Sequence, residues 1–549
     1  MKILSTILIA PLINKFKISQ HNKLRNAIRG YRLLKYIGRL DRISKLNNAL
    51  AESELNIPQS YFSECLMGFG VQSGEVVIRQ YLLIRIAGLK LNQALLHSLG
   101  KKNGVVIFPL PKLWRVILEK HNFKVAHFRS EILWKCYLLA MWIYGIGKIC
   151  KVFISNLITK ENIGTQQGYV YFADLDFSNV PKKNSKVKKY DVISWYLHWP
   201  ERQNDIKAVR HSVIQSESIN LDGIDISHQP APLAPLNDYS QVINYLLWSC
   251  CAVAIAFLDL LRGRWWHALI LNQAALSFQA RIVPGDSLAR EYLFHNSRWI
   301  YRPLWTYDAE QRGARITLYF YSTNCEYFKL TNVDVTPVHY GYIAMSWPRY
   351  LVWDKGQKDF LKKCITNKAD IKVVGPIWFS DNGLKNIKLP HKSVAVFDVQ
   401  PVRDSLYKLL CPHFEYFIPK IANQFLLDIY QVAEYQGFYM ALKRKREIGK
   451  LLHASYRFML HEMDSLPKFI ALDSGISGIR AIESCAAVIS APFTSTAHLG
   501  IYLGKPSVYY DPSGILKKDD PAAHGVDILS CKKELQDWLE SIKVVDKEQ

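Results

Sequence analysis

Three adjacent hydroxyl side chains, Thr494, Ser495 and Thr496, stand where an apolar strand pattern gives way to a helical one, in SAPFTSTAHLGIYLGKPSVYYD. Gly504 and Pro506 are suited to ending that helix before the next strand. Hydroxyl groups and unpaired backbone N–H groups at a helix start can bind a phosphate or a carboxylate, assisted by the helix dipole. The alternative is that the hydroxyls only cap the helix.

A run of cations lies roughly fifty residues before this stretch. The run follows an apolar segment, YQGFYMAL, that could be a strand, and a histidine comes soon after it. Because the carboxyl ends of parallel strands share one edge of a sheet, the cations and the hydroxyls are expected to converge there and to suit the phosphates of a nucleotide. A solvated charge run is the alternative. The predicted nucleotide-binding residues are Lys443, Arg444, Lys445, Arg446, His453, Thr494, Ser495, Thr496 and Lys505.

Apolar strands and helices alternate regularly through the C-terminal part of the chain. ADIKVVGPIWF, SVAVFDVQP, KFIALDS, AAVISAP and PSVYYDP are predicted strands, and helices are predicted from about Ile421 to Tyr435 and in ISGIRAIESC. This rhythm indicates βαβ units and a parallel sheet. Farther upstream, the predicted strands are GYVYFADLDF, KKYDVISWYLHW, ARITLYFYSTN and NGVVIFPLP.

The composition is that of a globular and strongly basic protein. The 549 residues carry a formal net charge of +23, and 49% are hydrophobic, which excludes extensive disorder and the multi-span membrane class. Such an excess of positive charge suggests an anionic partner, either nucleic acid, an acidic membrane or a phosphorylated substrate. Ten scattered cysteines, without CxxC pairs or Cys/His metal spacing, indicate reduced thiols in the cytoplasm and no zinc site.

Two apolar stretches and a basic leader bear on membrane contact. Residues 1–45 hold eleven Lys or Arg against one acid, Asp41. Ile132–Ile154 is interrupted by lysines, and Tyr245–Leu261 is short for a bilayer span. Both stretches are expected to be either buried helices or helices that lie in a membrane interface. We predict a cytoplasmic protein in peripheral contact with the anionic inner face of the cytoplasmic membrane.

The stretch Pro492-Phe493-Thr494-Ser495 resembles the bacterial polysaccharide-biosynthesis family named for this Pro-Phe-Thr-Ser motif. The similarity extends over roughly residues 285–515 and includes KRKREIGKLLHASYR, SWPRYLVWDKGQ and FHNSRWIYRPLWTYDAEQRGARITLYFYSTN. The chain also resembles, more distantly, the capsule and lipopolysaccharide enzymes that use CMP-activated acidic sugars such as Kdo and sialic acids. This chain has His453-Ala454 where those relatives carry His-Pro.

The resemblance implies an α/β, GT-B-like fold: two Rossmann-type domains with a cleft between them, preceded by N-terminal basic helices. The expected division is a helical leader at 1–60, an acceptor-side domain at 61–345 with an apolar helical insert near 240–275, and a nucleotide-sugar domain at 346–549. It further implies a glycosyltransferase of surface polysaccharide biosynthesis that needs no metal and no cofactor. Its partners would be a nucleotide-sugar donor, with a CMP-linked sugar as one candidate, and a glycan or lipid-linked acceptor, but no nucleic acid.

Glycosyl transfer also requires a base for the acceptor hydroxyl. A polar cluster in PGDSLAREYLFHNSRWIYRPLWTYDAE precedes the predicted strand at Ala314–Asn324. We predict His295 or Glu310 as the base, with Arg302 steadying an anionic donor or acceptor. The alternative for each is a salt-bridged or capping role. Two other functions stay open: transfer of a polyol phosphate from a CDP-activated donor, and non-enzymatic binding of nucleic acid.

Overall fold

The computed structural model describes residues 37–57, 71–99, 104–158, 168–175, 179–181, 191–214, 218–236, 238–323, 340–365, 368–377, 387–401, 418–444 and 452–542. Its N-terminal part is helical. The helices are α1 (Ile37–Glu52), α2 (Val71–Gln80), which continues through a π-helix (Tyr81–Ala87) into α3 (Gly88–Leu99), and α4 (Lys112–Lys120). Helix α1 agrees with the predicted basic helices, and the rest of the leader before residue 37 lies outside the described residues.

Eight strands form the first sheet. They are β1 (Tyr169–Phe172), β2 (Ala208–His211), β3 (Ile219–Leu221), β4 (Ile224–His228), β5 (Glu291–His295), β6 (Arg315–Tyr319), β7 (Arg349–Val352) and β8 (Asp370–Val373). Their order is β3-β4-β2-β1-β5-β6-β7-β8, and every pair is parallel except β3–β4. Strands β1, β5 and β7 are buried along their whole length, as expected of a parallel sheet covered on both faces.

Helices cover this sheet and extend from it. They are α5 (His127–Ile158), α6 (Val192–His198), α7 (Tyr239–Leu261), α8 (Trp266–Ile282), α9 (Trp305–Gln311), α10 (Tyr340–Ile343) and α11 (Lys355–Cys364). Helix α8 is buried on all sides, and α5 and α7 pack against it. The predicted apolar insert near 240–275 is therefore the helix pair α7–α8.

Six strands form the second sheet. They are β9 (Ser393–Phe397), β10 (Tyr439–Lys443), β11 (Phe469–Leu472), β12 (Ala487–Ser490), β13 (Ser507–Tyr510) and β14 (Ile528–Leu529). The order β11-β10-β9-β12-β13-β14 is entirely parallel and reverses direction between β9 and β12. This is the strand order of a Rossmann-type sheet, with its switch point at the ends of those two strands.

The helices of the second sheet connect its strands. They are α12 (Pro419–Tyr435), α13 (Ala454–Met463), α14 (Gly478–Glu483), α15 (Ser495–Tyr502) and α16 (Lys532–Glu540), with a 3₁₀ turn at Pro521–Ala523. Helix α15 sits close to its sheet because Gly500 has no side chain. A Cβ at Gly500 would lie 2.1 Å from Ser507 Oγ and 2.9 Å from Val488 Cγ2. The predicted α/β architecture with two parallel sheets is confirmed.

Three local predictions need correction. The boundary expected at residue 346 is too early, because β7 and β8 complete the first sheet and the second begins at β9. Buried parallel strands have the same apolar pattern in either sheet, so the sequence did not separate them. KKYDVISWYLHW forms helix α6 because Asp191 caps it, accepting a hydrogen bond from the Ser194 N–H at 2.7 Å. The described residues of NGVVIFPLP contribute one isolated bridge, Val106 to Val125, and no strand.

Candidate functional site

The carboxyl edges of the two sheets meet across a contact between the domains. Helix α15, which begins within the Pro-Phe-Thr-Ser motif, provides that contact with three side chains on one face. The backbone N–H of Thr323 donates to Ser495 Oγ at 3.3 Å, and His498 Nε2 lies 3.9 Å from Asp354 Oδ2. A Cβ at Gly375 would lie 3.7 Å from the Tyr502 ring.

These three contacts follow the order of the strands. Thr323, Asp354 and Gly375 lie in the segments that follow β6, β7 and β8, which are neighbours in the first sheet. Positions 495, 498 and 502 lie on one face of a helix because they are three and then four residues apart. Each turn of α15 therefore meets the end of the next strand. The motif helix is a domain-contact element as well as a helix start.

A carboxylate and two imidazoles form the polar centre of this contact. Asp354 Oδ2 lies 2.5 Å from His524 Nδ1, and Asp354 Oδ1 accepts a hydrogen bond from the Gln357 N–H at 2.8 Å. Burial alone would raise the pKa of Asp354, but His524, the Gln357 N–H and His498 together outweigh it and lower that pKa. Burial lowers the pKa of His498, against the opposing effect of Asp354. The cluster thus favours a carboxylate beside a neutral His498 imidazole.

The hydroxyl groups of the motif form an internal network. Phe493 has a left-handed backbone conformation (φ 59°) and is buried, which turns the chain sharply between β12 and α15. Thr494 Oγ1 donates to the Ala491 carbonyl at 2.7 Å, and Thr496 Oγ1 lies 2.8 Å from Ser490 Oγ. The N–H groups of the first helical turn have no acceptor within the helix, so they are the groups of this turn suited to an anion.

Asp398 lies at the switch point of the second sheet, directly after β9. Its side chain is 7% exposed, and neither carboxylate oxygen has a hydrogen-bond partner among the described residues. Burial raises the pKa of Asp398 to about 7, although the charges of Arg444 and Lys443 oppose the shift. A buried carboxyl group of this kind, at the position where doubly wound sheets bind ligands, is a candidate ligand contact.

The basic element and His453 reach the same edge in part. Lys443 is buried, and its Nζ donates to the carbonyls of Arg444 (2.6 Å) and Ser474 (3.1 Å), which ties β10 to the segment after β11. Burial lowers the pKa of Lys443. The N–H of His453 donates to the Pro401 carbonyl at 3.0 Å, and its Nδ1 caps α13. The second half of the cation run, Lys445 and Arg446, lies outside the described residues.

Lys505 does not join this edge. Its Nζ donates to the Cys485 carbonyl at 2.8 Å and to the Glu483 carbonyl at 3.3 Å, at the C-terminus of α14. Lys505 precedes β13, so it lies at the amino edge of the second sheet, opposite the switch point. The structure gives it a capping role in place of the predicted nucleotide contact.

Of the three predicted catalytic residues, only His295 lies at the carboxyl edge. It ends β5 and is 6% exposed. Its Nε2 lies 3.0 Å from the Asp174 carbonyl oxygen and its Nδ1 2.6 Å from Ser297 Oγ. The first contact fixes the ring beside the end of β1, a neighbour of β5, and the ring also lies 5.9 Å from that of Tyr319, which ends β6.

Arg302 and Glu310 lie away from this edge. They form an ion pair in which the Arg302 side chain is 4% exposed. Arg302 also donates to the carbonyl of Ser346, which precedes β7, and its guanidinium lies 3.7 Å above the Tyr307 ring. Glu310 lies in the last turn of α9, just before β6, so the pair sits toward the amino edge. This placement supports the salt-bridge alternative over the predicted catalytic one.

Four residues of the edges were missed in the sequence, namely Asp354, Asp398, His498 and His524. His498 stands three residues after Ser495, a spacing that predicts a shared helix face. Asp398 directly follows an apolar strand, a position that predicts the carboxyl edge of a sheet. Asp354 and His524 carried no such signal, because their partners are distant in the sequence. Among the described residues, no group of three or more His, Cys, Asp or Glu is arranged to hold a metal ion.

The chain can be compared with known proteins at this point. Residues 250–539 match the family described as polysaccharide biosynthesis PFTS motif protein. No curated protein sequence matches the chain.

Solved structures match the chain at low similarity. TarM is 10% identical (TM-score 0.30), with 49% of this chain covered, and this chain spans 50% of TarM. The UDP-GlcNAc 2-epimerase of Methanocaldococcus jannaschii is 7% identical (TM-score 0.35; 69% and 93% covered), and the wall teichoic acid polymerase TagF is 10% identical (TM-score 0.33; 74% and 88% covered). These scores are low, so the assignment rests on the family match. Since that match covers more than half of the sequence, the chain belongs to the polysaccharide biosynthesis PFTS motif family.

Proposed function

We propose that the protein is a glycosyltransferase that moves a sugar from a nucleotide donor to a lipid-linked or growing glycan during the synthesis of a bacterial surface polysaccharide. The observation that carries the proposal is the meeting of two parallel sheets at their carboxyl edges, with the family's own motif helix between them. In doubly wound sheets, ligands bind outside those edges. The family's description places the chain in polysaccharide biosynthesis.

The donor would bind at the switch point of the second sheet. Arg444 and the first turn of α15 would neutralise the leaving phosphate, with Lys445, Arg446 and His453 as further predicted contacts. Asp398 would accept hydrogen bonds from the nucleoside. We propose a CMP-linked acidic sugar as the donor, in capsule or lipopolysaccharide synthesis, and transfer without a metal ion or other cofactor.

The base would come from the cleft between the sheets. His295 remains one candidate, since it ends β5 at the facing edge. His498 is a second candidate, because burial favours its neutral form and Asp354 lies beside it to stabilise a developing imidazolium. Within the described part of the chain, its Nδ1 has no hydrogen-bond partner. His295→Asn and His498→Asn distinguish the two, since loss of the base should remove the acidic limb of the pH–rate profile in one variant only.

Work on a lipid-linked glycan would require the enzyme to stay near the membrane. We therefore propose action at the inner face of the cytoplasmic membrane, in peripheral contact with anionic lipid and without binding to nucleic acid. The net charge of +23 and the apolar faces of α5 and α7 support this placement.

A thermal-shift comparison of CMP, CDP, UDP, GDP and dTDP tests the proposed donor. Stabilisation by CMP alone, lost in Asp398→Asn, is the expected result. Transfer of a polyol phosphate from a CDP-activated donor also releases CMP, so stronger stabilisation by a CDP-polyol than by CMP would favour that reaction over sugar transfer. Tight binding of duplex DNA with no response to any nucleotide would contradict the proposal.

A further inference from the structure

The outer faces of α5 and α7 form an extended apolar surface. Two described segments, His127–Ile154 in α5 and Tyr239–Leu261 in α7, are long and apolar enough to cross a membrane, and only 22% of the residues in an 18-residue apolar stretch of each are buried. Trp142 of α5 joins the two helices. Its Nε1 donates to the Val253 carbonyl at 3.1 Å, and its ring lies 5.1 Å from the Phe257 ring.

The exposed side chains form one apolar stripe on each helix. On α5 the stripe comprises Phe128, Ile132, Cys136, Leu139, Ile143, Cys150 and Ile154, and on α7 it comprises Ile243, Leu247, Cys250, Cys251, Phe257, Leu258 and Leu261. At 1.5 Å per residue, the stripes are roughly 40 Å and 27 Å long. Such a surface is larger than the scattered apolar side chains of an ordinary protein exterior.

The opposite faces of both helices belong to the protein core. Trp134, Leu138 and Met141 of α5 and Tyr245 and Ala252 of α7 pack in the largest hydrophobic cluster, with α8 beneath them. A helix that crossed a bilayer would have to leave that cluster and expose it. The helices are therefore suited to lie along a bilayer with one face in contact with it.

Cations flank the stripe of α5 and the C-terminal end of the stripe of α7. Arg129, Lys135 and Lys151 are exposed on α5, and Arg262 and Arg264 follow α7 directly. The acids of the two helices are engaged. Glu131 pairs with Arg115 and Lys135, and Asp259 is 2% exposed beside His267. Asp238, which precedes α7, is the acid at the other end of that helix. An apolar face bordered by cations matches the interface of a bilayer with anionic headgroups.

We propose that α5 and α7 dock side by side into the headgroup region of an anionic lipid bilayer, without crossing it. The inference rests on the proposed function only for the reason why the protein would bind lipid, because a membrane-bound acceptor requires an enzyme at the membrane. The occupant of this face is lipid; a second copy of the chain is the alternative outcome of the test.

Native thiols allow the surface to be tested in the unmodified protein. Cys136, Cys150, Cys250 and Cys251 are exposed on the stripes, whereas Cys531 is exposed on the second domain. A water-soluble maleimide would be applied with and without vesicles of phosphatidylcholine and phosphatidylglycerol, and each site would be followed by mass spectrometry. Labelling of the four stripe thiols should slow at least tenfold with these vesicles, while Cys531 reacts at an unchanged rate.

Three results would overturn the proposal. The first is equal labelling with and without anionic vesicles. The second is equal protection by vesicles of phosphatidylcholine alone, which would remove the role of the cations. The third is protection without vesicles that grows with protein concentration, which would show a second copy on this face. Because no nucleotide is present, none of these results bears on sugar transfer, and failure of the donor test leaves the lipid test intact.

Matched variants strengthen the test. Ile143→Glu combined with Leu247→Glu places charge on two side chains that are 57% and 62% exposed, so folding should be preserved. Co-sedimentation with anionic vesicles should fall at least tenfold in this double variant. Phe458→Glu, at a 65% exposed position on α13, should bind vesicles as the native protein does. Equal loss in both would contradict a defined surface.

Discussion

Asp354 follows β7 in the first sheet and His524 follows β13 in the second, yet Asp354 Oδ2 is 2.5 Å from His524 Nδ1. Gly356 packs beside this contact, since a Cβ there would lie 3.4 Å from the same His524 nitrogen, an ordinary van der Waals distance. His524 itself has a left-handed backbone (φ 53°). The contact therefore involves one uncommon backbone conformation, that of His524 in the second domain.

Acid should weaken the domain contact. The pKa of Asp354 is lowered in the folded protein, so its stabilising effect is present above the unfolded value and is lost as the pH falls through the folded one. The pKa of His498 is lowered from 6.5, so the unfolded chain binds its proton first and stability falls as the pH drops below that value. His498→Asn should lose less thermal stability than the native protein between about pH 7 and 5. An equal fall in melting temperature between these pH values in the two proteins would contradict this.

Asp398→Asn should make the protein more stable at neutral pH. The pKa of Asp398 is raised to about 7, so the ionised group opposes folding above the unfolded value of 3.8. The gain in unfolding free energy should be at most about 4 kcal/mol at pH 8 and should vanish near pH 4. Urea denaturation at both pH values measures it. A variant that is more stable and binds no nucleotide would identify Asp398 as a ligand contact, whereas lower stability at pH 8 would refute the buried-charge account.

Gly500→Ala should destabilise the second domain by about 1–3 kcal/mol, because the added methyl group would clash with Ser507 and Val488 across the α15–sheet contact. Gly147→Ala is the control. Gly147 lies in α5, and no described atom comes within 4 Å of the place that its new methyl group would take, so this change should stabilise by about 0.5–1 kcal/mol. Chemical denaturation of both variants measures whether each change lowers or raises the free energy of unfolding. A neutral Gly500→Ala would show that α15 can move away from its sheet.

Glu310→Gln should cost stability and spare catalysis. The change removes the counterion of the buried Arg302, for an expected loss of about 1–2 kcal/mol in unfolding free energy. The kcat of sugar transfer should stay within a few-fold of the native value, whereas His295→Asn, at the carboxyl edge, should lower it by two or more orders of magnitude if His295 is the base. A comparable fall in kcat for Glu310→Gln would restore Glu310 as a catalytic candidate.

Lys505→Met should leave nucleotide affinity unchanged. Its Nζ donates to the carbonyls of Glu483, the last residue of α14, and of Cys485, just beyond it, at the amino edge, so the variant should melt a few degrees lower. Arg444→Met is the matched change at the carboxyl edge and should weaken nucleotide binding at least tenfold without a comparable fall in melting temperature. Isothermal titration of both variants with the stabilising nucleotide measures the difference. Reversed effects would place the phosphate at the other edge.

Local sequence patterns predicted the second sheet well. Its strands alternate with helices whose ends are marked by residues such as Gly504 and Pro506, and strand order then follows from the connections. The motif helix and Arg444, which directly follows β10, were placed at the right edge for the same reason. Lys505 was misplaced because a basic residue near a motif has the same appearance at either end of a strand.

Contacts between segments that are distant in the sequence could not be predicted from local patterns. Nothing near Asp354 indicates that it faces His498, and nothing near Arg302 indicates a stacked guanidinium paired with Glu310. The domain boundary failed for a related reason, since Arg349–Val352 has the apolar character of any buried parallel strand. The apolar stretches of α5 and α7 left burial and membrane contact open, and their exposed faces required the packing of α8 to be known.

The three contacts of α15, with the segments after β6, β7 and β8, tie the motif helix to the relative position of the two domains. Rotation of one domain away from the other would break these contacts. A ligand held by the first turn of that helix would share a thermodynamic linkage with the closed form, in which each increases the population of the other by the same factor. Donor affinity would then depend on the equilibrium between the open and closed forms. A substitution at Gly375, in the other domain, could alter that affinity without touching the donor site.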